Sequence, residues 1–202
     1  MKNLFQFGKK IKGFDIRVLN ERVGRAGSGI FLVFGLIAFM NAWLTGNFKI
    51  IKIFVITFLI DFFIRLFINP KYSPSLIIGR FMVQNQKPEY TGAPQKKFAW
   101  GIGFIIAITM FFLVVMNNIT GPLISYIGLA ILTFFFFESA FGICLGCKVY
   151  NLFHKEKAKL CPGGVCETTK KEKIQRISFI QIIITILFIL LIIFIASSGL
   201  LK

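Results

Sequence analysis

The chain's four cysteines lie in one stretch: Cys144 and Cys147 in a Cys-Leu-Gly-Cys segment, then Cys161 and Cys166 closing Cys-Pro-Gly-Gly-Val-Cys. Two close thiol pairs support three chemistries. They exchange disulfides or carry sulfane sulfur, using one thiolate to attack and a neighbouring thiol to resolve. They bind zinc, because a CxxC and a CxxxxC with thirteen residues between them supply four thiolates at tetrahedral spacing. Or they form structural disulfides, which a reducing compartment disfavours. Cys144, Cys147, Cys161 and Cys166 are thus candidate redox thiols and, alternatively, candidate zinc ligands.

Position distinguishes the pairs. Cys144 and Cys147 follow a long apolar run and, if its helix continues, share a face at its C-terminal end. There the helix dipole opposes a thiolate, whereas activated CxxC thiols sit at helix N-termini. This shifts the expected reactive role toward Cys161 and Cys166. A permissive Pro162-Gly163-Gly164 turn closes that pair, and Lys155, Lys157 and Lys159 precede it. Gly142 and Gly146 have the Gly-x-x-x-Gly spacing that admits a second helix backbone.

A second group of residues is charged within apolar surroundings. Asp61 and Arg65 are four apart and share a helix face, and Glu138 lies in a later run. Counted along each helix, both acids fall on the order of 10 Å from the same end, so Arg65 is expected to bridge them. Such charges either lock helix register or handle a proton or an anion.

The elements that position these groups are membrane helices. The chain is 56% hydrophobic and 16% charged, with apolar runs over 27–44, 48–68, 98–116, 119–143 and 177–199. Runs of this length predict an all-α integral membrane protein of about five spans. The short links at Thr45-Gly46-Asn47 and Asn117-Asn118 predict two helical hairpins followed by a C-terminal span, all in one membrane domain over 1–202. Residues 14–23 and 75–83 are expected as short interfacial helices. The net charge of +16 does not point to nucleic acid, because the basic residues are divided among loops. The N-terminal tail carries seven Lys and Arg, the loop after the second run five and the cysteine loop eight, against Lys49, Lys52 and Lys202 opposite. That bias places the N-terminus and the cysteine loop in the cytoplasm of a bacterial inner membrane, with the C-terminus outside.

The Asn69-Pro70…Ser73-Pro74 exit, Glu138, and the Cys144/Cys147 pair followed by Cys161 and Cys166 resemble a family of bacterial multi-pass membrane proteins. Those proteins carry a four-thousand-series label as a domain of unknown function. The resemblance covers nearly the whole chain. It implies a genomic neighbourhood of thioredoxin-like and rhodanese-type proteins, hence thiol or sulfur chemistry, and it carries over no catalytic residue.

Three functions follow as expectations. The first is thiol-disulfide or sulfane-sulfur handling with thioredoxin or a sulfurtransferase. The second is transport of a sulfur compound or anion through Asp61, Arg65 and Glu138. The third is a scaffold clamped by four-cysteine zinc. No cofactor is fixed by the residues: zinc is the candidate metal, and a Phe-rich bundle accommodates a quinone without any pattern marking one. The bilayer is the expected partner, and glycine-rich faces suit a homodimer. The only histidine is His154, so the sequence shows no serine or histidine triad, and it shows neither a phosphate loop nor an EF-hand.

Overall fold

The computed structural model describes residues 7–153, Leu160 and 179–197. The chain divides into two compact units, Met1–Glu167 and Thr168–Lys202.

The first unit is helical, with one small ribbon. Strand β1 (Val18–Asn20) pairs antiparallel with β2 (Tyr90–Gly92), Val18 opposite Gly92 and Asn20 opposite Tyr90. Residues 14–23 are therefore not an interfacial helix. The buried Val18 is held in the ribbon, and Asn20 ends it by accepting a hydrogen bond from the Arg22 amide at 3.2 Å. That cap starts helix α1 (Glu21–Thr45), which runs for 25 residues, about 37 Å. Gly46, at φ 67°, closes α1 and turns the chain into α2 (Lys49–Phe63).

Helix α2 continues as a wider π-helical turn, Ile64–Ile68, which carries Arg65. The Asn-Pro-x-x-Ser-Pro exit then has a physical meaning. Asn69 accepts from the Lys71 amide at 2.9 Å and caps a short 3-10 turn, Pro70–Tyr72. Ser73 caps α3 (Pro74–Met82), whose first residue is a proline that needs no amide partner there. Helix α3 is thus a helix, as expected for 75–83. It buries Ser75, Leu76 and Gly79 against the bundle and exposes Ile77, Ile78, Phe81 and Met82.

After β2 come α4 (Ala93–Met110), with a π-helical continuation Phe111–Met116, then α5 (Pro122–Phe141) and α6 (Leu145–Phe153). Helix α5 packs chiefly along α1, while α4 packs on α2 and α6. The core between them is aromatic: Phe31, Phe58 and Phe135 are buried, with ring centroids 5.2 to 5.8 Å apart. Glu21–Thr45, Ala93–Met116 and Pro122–Phe141 are long and apolar enough to cross a membrane.

The second unit is described over α7 (Phe179–Ser197). The side chains from Phe179 to Leu190 are all exposed, and nearly all are apolar around the full circumference. A helix of that kind needs an apolar medium or partner around it.

Candidate functional site

The dithiol segment departs from the sequence expectation. Helix α5 does not run through Cys144. Gly142 takes φ 66° and stops it, with its amide bonded back to the Glu138 carbonyl at 3.1 Å. The guanidinium of Arg25 covers this end, donating to the Ser139 carbonyl at 3.4 Å and the Ala140 carbonyl at 3.3 Å. A new helix then begins at Leu145, so Cys144 occupies its N-cap position and Cys147 its first turn. The Cys147 amide bonds to the Cys144 carbonyl at 3.0 Å. The pair therefore sits at a helix N-terminus, where the dipole favours a thiolate, and not at a C-terminus.

Both thiols are free and buried, Cys144 at 7% exposure and Cys147 at 2%. The hydrogen bond from Cys147 lowers the Cys144 thiol, and the nearby Lys96 ammonium adds to this against the opposing effect of burial. Cys147 moves up, because it donates to Cys144 and is itself buried. Helix α6 lies directly on α4: a Cβ at Gly146 would collide with Ala99, so the Gly-x-x-x-Gly expectation holds at Gly146. Tyr150 and Ala99 pack around the pair.

Beneath it lies an ion cluster that the sequence did not reveal. The Lys96 ammonium donates to Glu138 Oε1 at 2.7 Å and to Glu21 Oε1 at 2.9 Å. Ser28 Oγ donates to Glu138 Oε2 at 2.7 Å. Lys96 and Glu21 are each 1% exposed. Glu138 thus pairs with Lys96, and Arg65 does not bridge it to Asp61.

Arg65 belongs to a second cluster. Its Nε donates to Asp61 Oδ2 at 2.7 Å and its Nη2 to Ser75 Oγ at 2.6 Å. Asp61 also accepts from Ser73 Oγ at 2.8 Å, from the Ser75 amide at 3.0 Å and from Ser75 Oγ at 2.9 Å. The guanidinium carbon is 4.4 Å from the Phe62 ring centroid and 5.0 Å from that of Trp100. A carboxylate with four donors and a caged guanidinium form a joint between α2 and α3, not an open ion site.

Cys161 and Cys166 lie outside the described residues. Leu160, just before them, is held: its carbonyl accepts from Thr91 Oγ1 and the Gly92 amide, both at 3.1 Å. Among the described residues no three His, Cys, Asp or Glu side chains converge on a metal position, and Cys144 and Cys147 supply two thiols.

These features define a helical bundle with three helices long and apolar enough to cross a membrane, and with a dithiol on a helix N-terminus above a buried lysine–dicarboxylate cluster. The chain belongs to the family described as a domain of unknown function, DUF4395, whose model matches residues 19–155. That span includes both ion clusters and the Cys144/Cys147 pair. No curated protein and no solved structure matches the chain.

Proposed function

We propose that this protein is a bacterial inner-membrane thiol oxidoreductase whose exchange site is Cys144 and Cys147. The observation that carries the reading is the placement of the pair at the N-terminus of α6, with Cys144 favoured as thiolate and Cys147 as thiol. In the exchange, the Cys144 thiolate attacks one sulfur of a partner disulfide and releases the other as a thiolate. Cys147 then loses its proton and attacks the mixed disulfide. The partner leaves as a dithiol, and Cys144 and Cys147 become a disulfide, two electrons having passed to the partner. Lys96 takes no bond in this. Its ammonium supplies positive charge beneath the forming thiolate and keeps two carboxylates compatible with it.

In this reading the helices form five spans over about 27–44, 48–68, 98–116, 119–143 and 177–199. The concentration of Lys and Arg in the N-terminal tail, the 69–97 loop and the cysteine loop supports a cytoplasmic dithiol. Partners of the thioredoxin-like or rhodanese type fit the resemblance, and with them Cys161 and Cys166 form the second station of a relay. The test uses full-length protein with Cys161→Ser and Cys166→Ser, reduced and mixed with a thioredoxin-type disulfide. Cys144→Ser abolishes exchange. Cys147→Ser halts it at a mixed disulfide on Cys144. Exchange that continues without Cys144 rejects the assignment.

A further inference from the structure

Helix α3 packs against the first two turns of α1. A Cβ on Gly79 would lie 3.0 Å from the Val23 carbonyl and 3.1 Å from the Gly27 amide nitrogen, and one on Gly27 would lie 3.0 Å from the Leu76 side chain. The first large apolar side chain that α1 exposes is Val33, six residues or about 9 Å beyond Gly27. Helix α3 therefore lies at the level where the covered start of α1 gives way to its exposed apolar length. At nine residues α3 is about 13 Å long, too short to cross a bilayer. Asp61 and Arg65 hold its beginning through Ser73 and Ser75, which fixes it from the inside. Its outer face is apolar: Ile77, Ile78 and Met82 are exposed, and Phe81 is 73% exposed. Lys71, Arg80 and Lys87 are exposed beside that face, while Glu89, the one acid between Asn69 and Gly92, is half-buried. Residues 7–20, which the ribbon ties to this end, expose four bases, Lys9, Lys10, Lys12 and Arg17, against Asp15.

We propose that α3 is seated in the headgroup layer of the bilayer, with Ile77, Ile78, Phe81 and Met82 among the upper acyl chains, and that the bases beside it gather anionic phospholipid there. A short helix with an apolar face and a basic border is held by two forces, burial of apolar area and attraction to anionic headgroups. The attraction arises from the summed charge of the surface, so no single anion has to be chelated. Lipid is the occupant because α3 lies beside a helix long and apolar enough to cross a membrane, at the level where the exposed apolar part of that helix begins. Arg80 suits this seat, since its stem lies along apolar chains while its guanidinium reaches phosphate. The inference rests on the membrane reading of the chain and not on the dithiol.

The test places full-length Trp43→Phe protein, with and without Phe81→Trp, in nanodiscs whose lipid chains are brominated near the headgroup. Bromine quenches an indole on contact. The indole added by Phe81→Trp is expected to be quenched at least about twofold more than the buried Trp100. Where only phosphatidylglycerol is brominated, in a phosphatidylcholine background, that quenching exceeds the lipid's share of the bilayer by about twofold or more. Lys71→Gln, Arg80→Gln and Lys87→Gln together, all at exposed positions, return it to that share. An added indole that neither brominated lipid quenches overturns the proposal and leaves the face to a protein partner. Phosphatidylglycerol at no more than its bilayer share, or an enrichment that survives the triple variant, overturns the recruitment of anionic lipid. The exposed Trp43 of the unsubstituted protein is the control. A quenched Trp43 with an unquenched added indole overturns the seating of α3 alone, whereas two unquenched indoles overturn the membrane reading with it.

Discussion

The Lys96 ammonium lies 2.7 Å from Glu138 Oε1, joining the first turn of α4 to the last turns of α5 immediately before the dithiol. The same ammonium holds Glu21 at the start of α1. Three helices are thus pinned at one level by a single cation, and α6 starts seven residues after Glu138.

Removing that cation strands two buried carboxylates. Lys96→Met is expected to destabilise the protein by about 3–5 kcal/mol, the usual loss when one partner of a buried pair is removed. Thermal unfolding in detergent measures it. A variant as stable as the parent would mean that the carboxylates do not depend on Lys96. Adding Glu138→Gln to Lys96→Met recovers part of the loss, because one stranded charge is gone.

The second cluster behaves in the same way for a different joint. Arg65→Met leaves Asp61 buried without its cation and is expected to cost about 3–5 kcal/mol. Arg65→Lys does not restore the parent stability, because an ammonium cannot reach both Asp61 and Ser75 with a planar fork while stacking on Phe62 and Trp100. Full rescue by lysine would contradict the caged geometry.

The contact between α6 and α4 is steric. Gly146→Val puts a branched side chain onto Ala99 and is expected to lift α6 from α4, so that maleimide labels Cys144 and Cys147 faster than in the parent. Ala99→Gly paired with Gly146→Ala relieves part of the collision, and the double variant is then more stable than Gly146→Ala alone. Additive effects of the two substitutions would place the residues out of contact.

The pH dependence of thiol alkylation follows from the direction of the Cys144 shift. The thiolate is the reactive form, and Cys144 is lowered first by the Cys147 hydrogen bond and then by Lys96. Its alkylation rate therefore rises through a midpoint below the ordinary thiol value of about 8.5. Cys147→Ala removes the donor and moves that midpoint up, leaving a smaller reactive fraction at neutral pH. A midpoint unchanged by Cys147→Ala would remove the hydrogen bond from the account.

The helices were legible because apolar runs admit little else. Runs 27–44 and 98–116 appear as α1 and as α4 with its continuation, each beginning five or six residues earlier than the run, and the described part of run 177–199 is α7. The charge partners were not legible. Lys96 and Glu21 stand at the edges of apolar runs, where a charge ordinarily reads as reaching solvent. Their burial is a product of tertiary structure, which sets the Lys96 ammonium of α4 between Glu21 of α1 and Glu138 of α5. The break at Gly142 did carry a signal, since glycine commonly ends a helix in the left-handed conformation. Read as one half of a Gly-x-x-x-Gly face, it kept Cys144 at the wrong end of a helix. Likewise the Asn-Pro-x-x-Ser-Pro exit marked the end of α2, but the use of Ser73 and Ser75 to hold Asp61 depends on the turn those prolines make.

The most direct test of the central claim is a trapped-intermediate measurement. Full-length protein with Cys147→Ser, Cys161→Ser and Cys166→Ser is reduced, mixed with a disulfide substrate, acid-quenched and mapped by mass spectrometry. The account predicts a mixed disulfide at Cys144 that forms faster at pH 7 than on an ordinary exposed thiol peptide. A Cys144 that stays reduced, or that reacts no faster than the peptide, contradicts it.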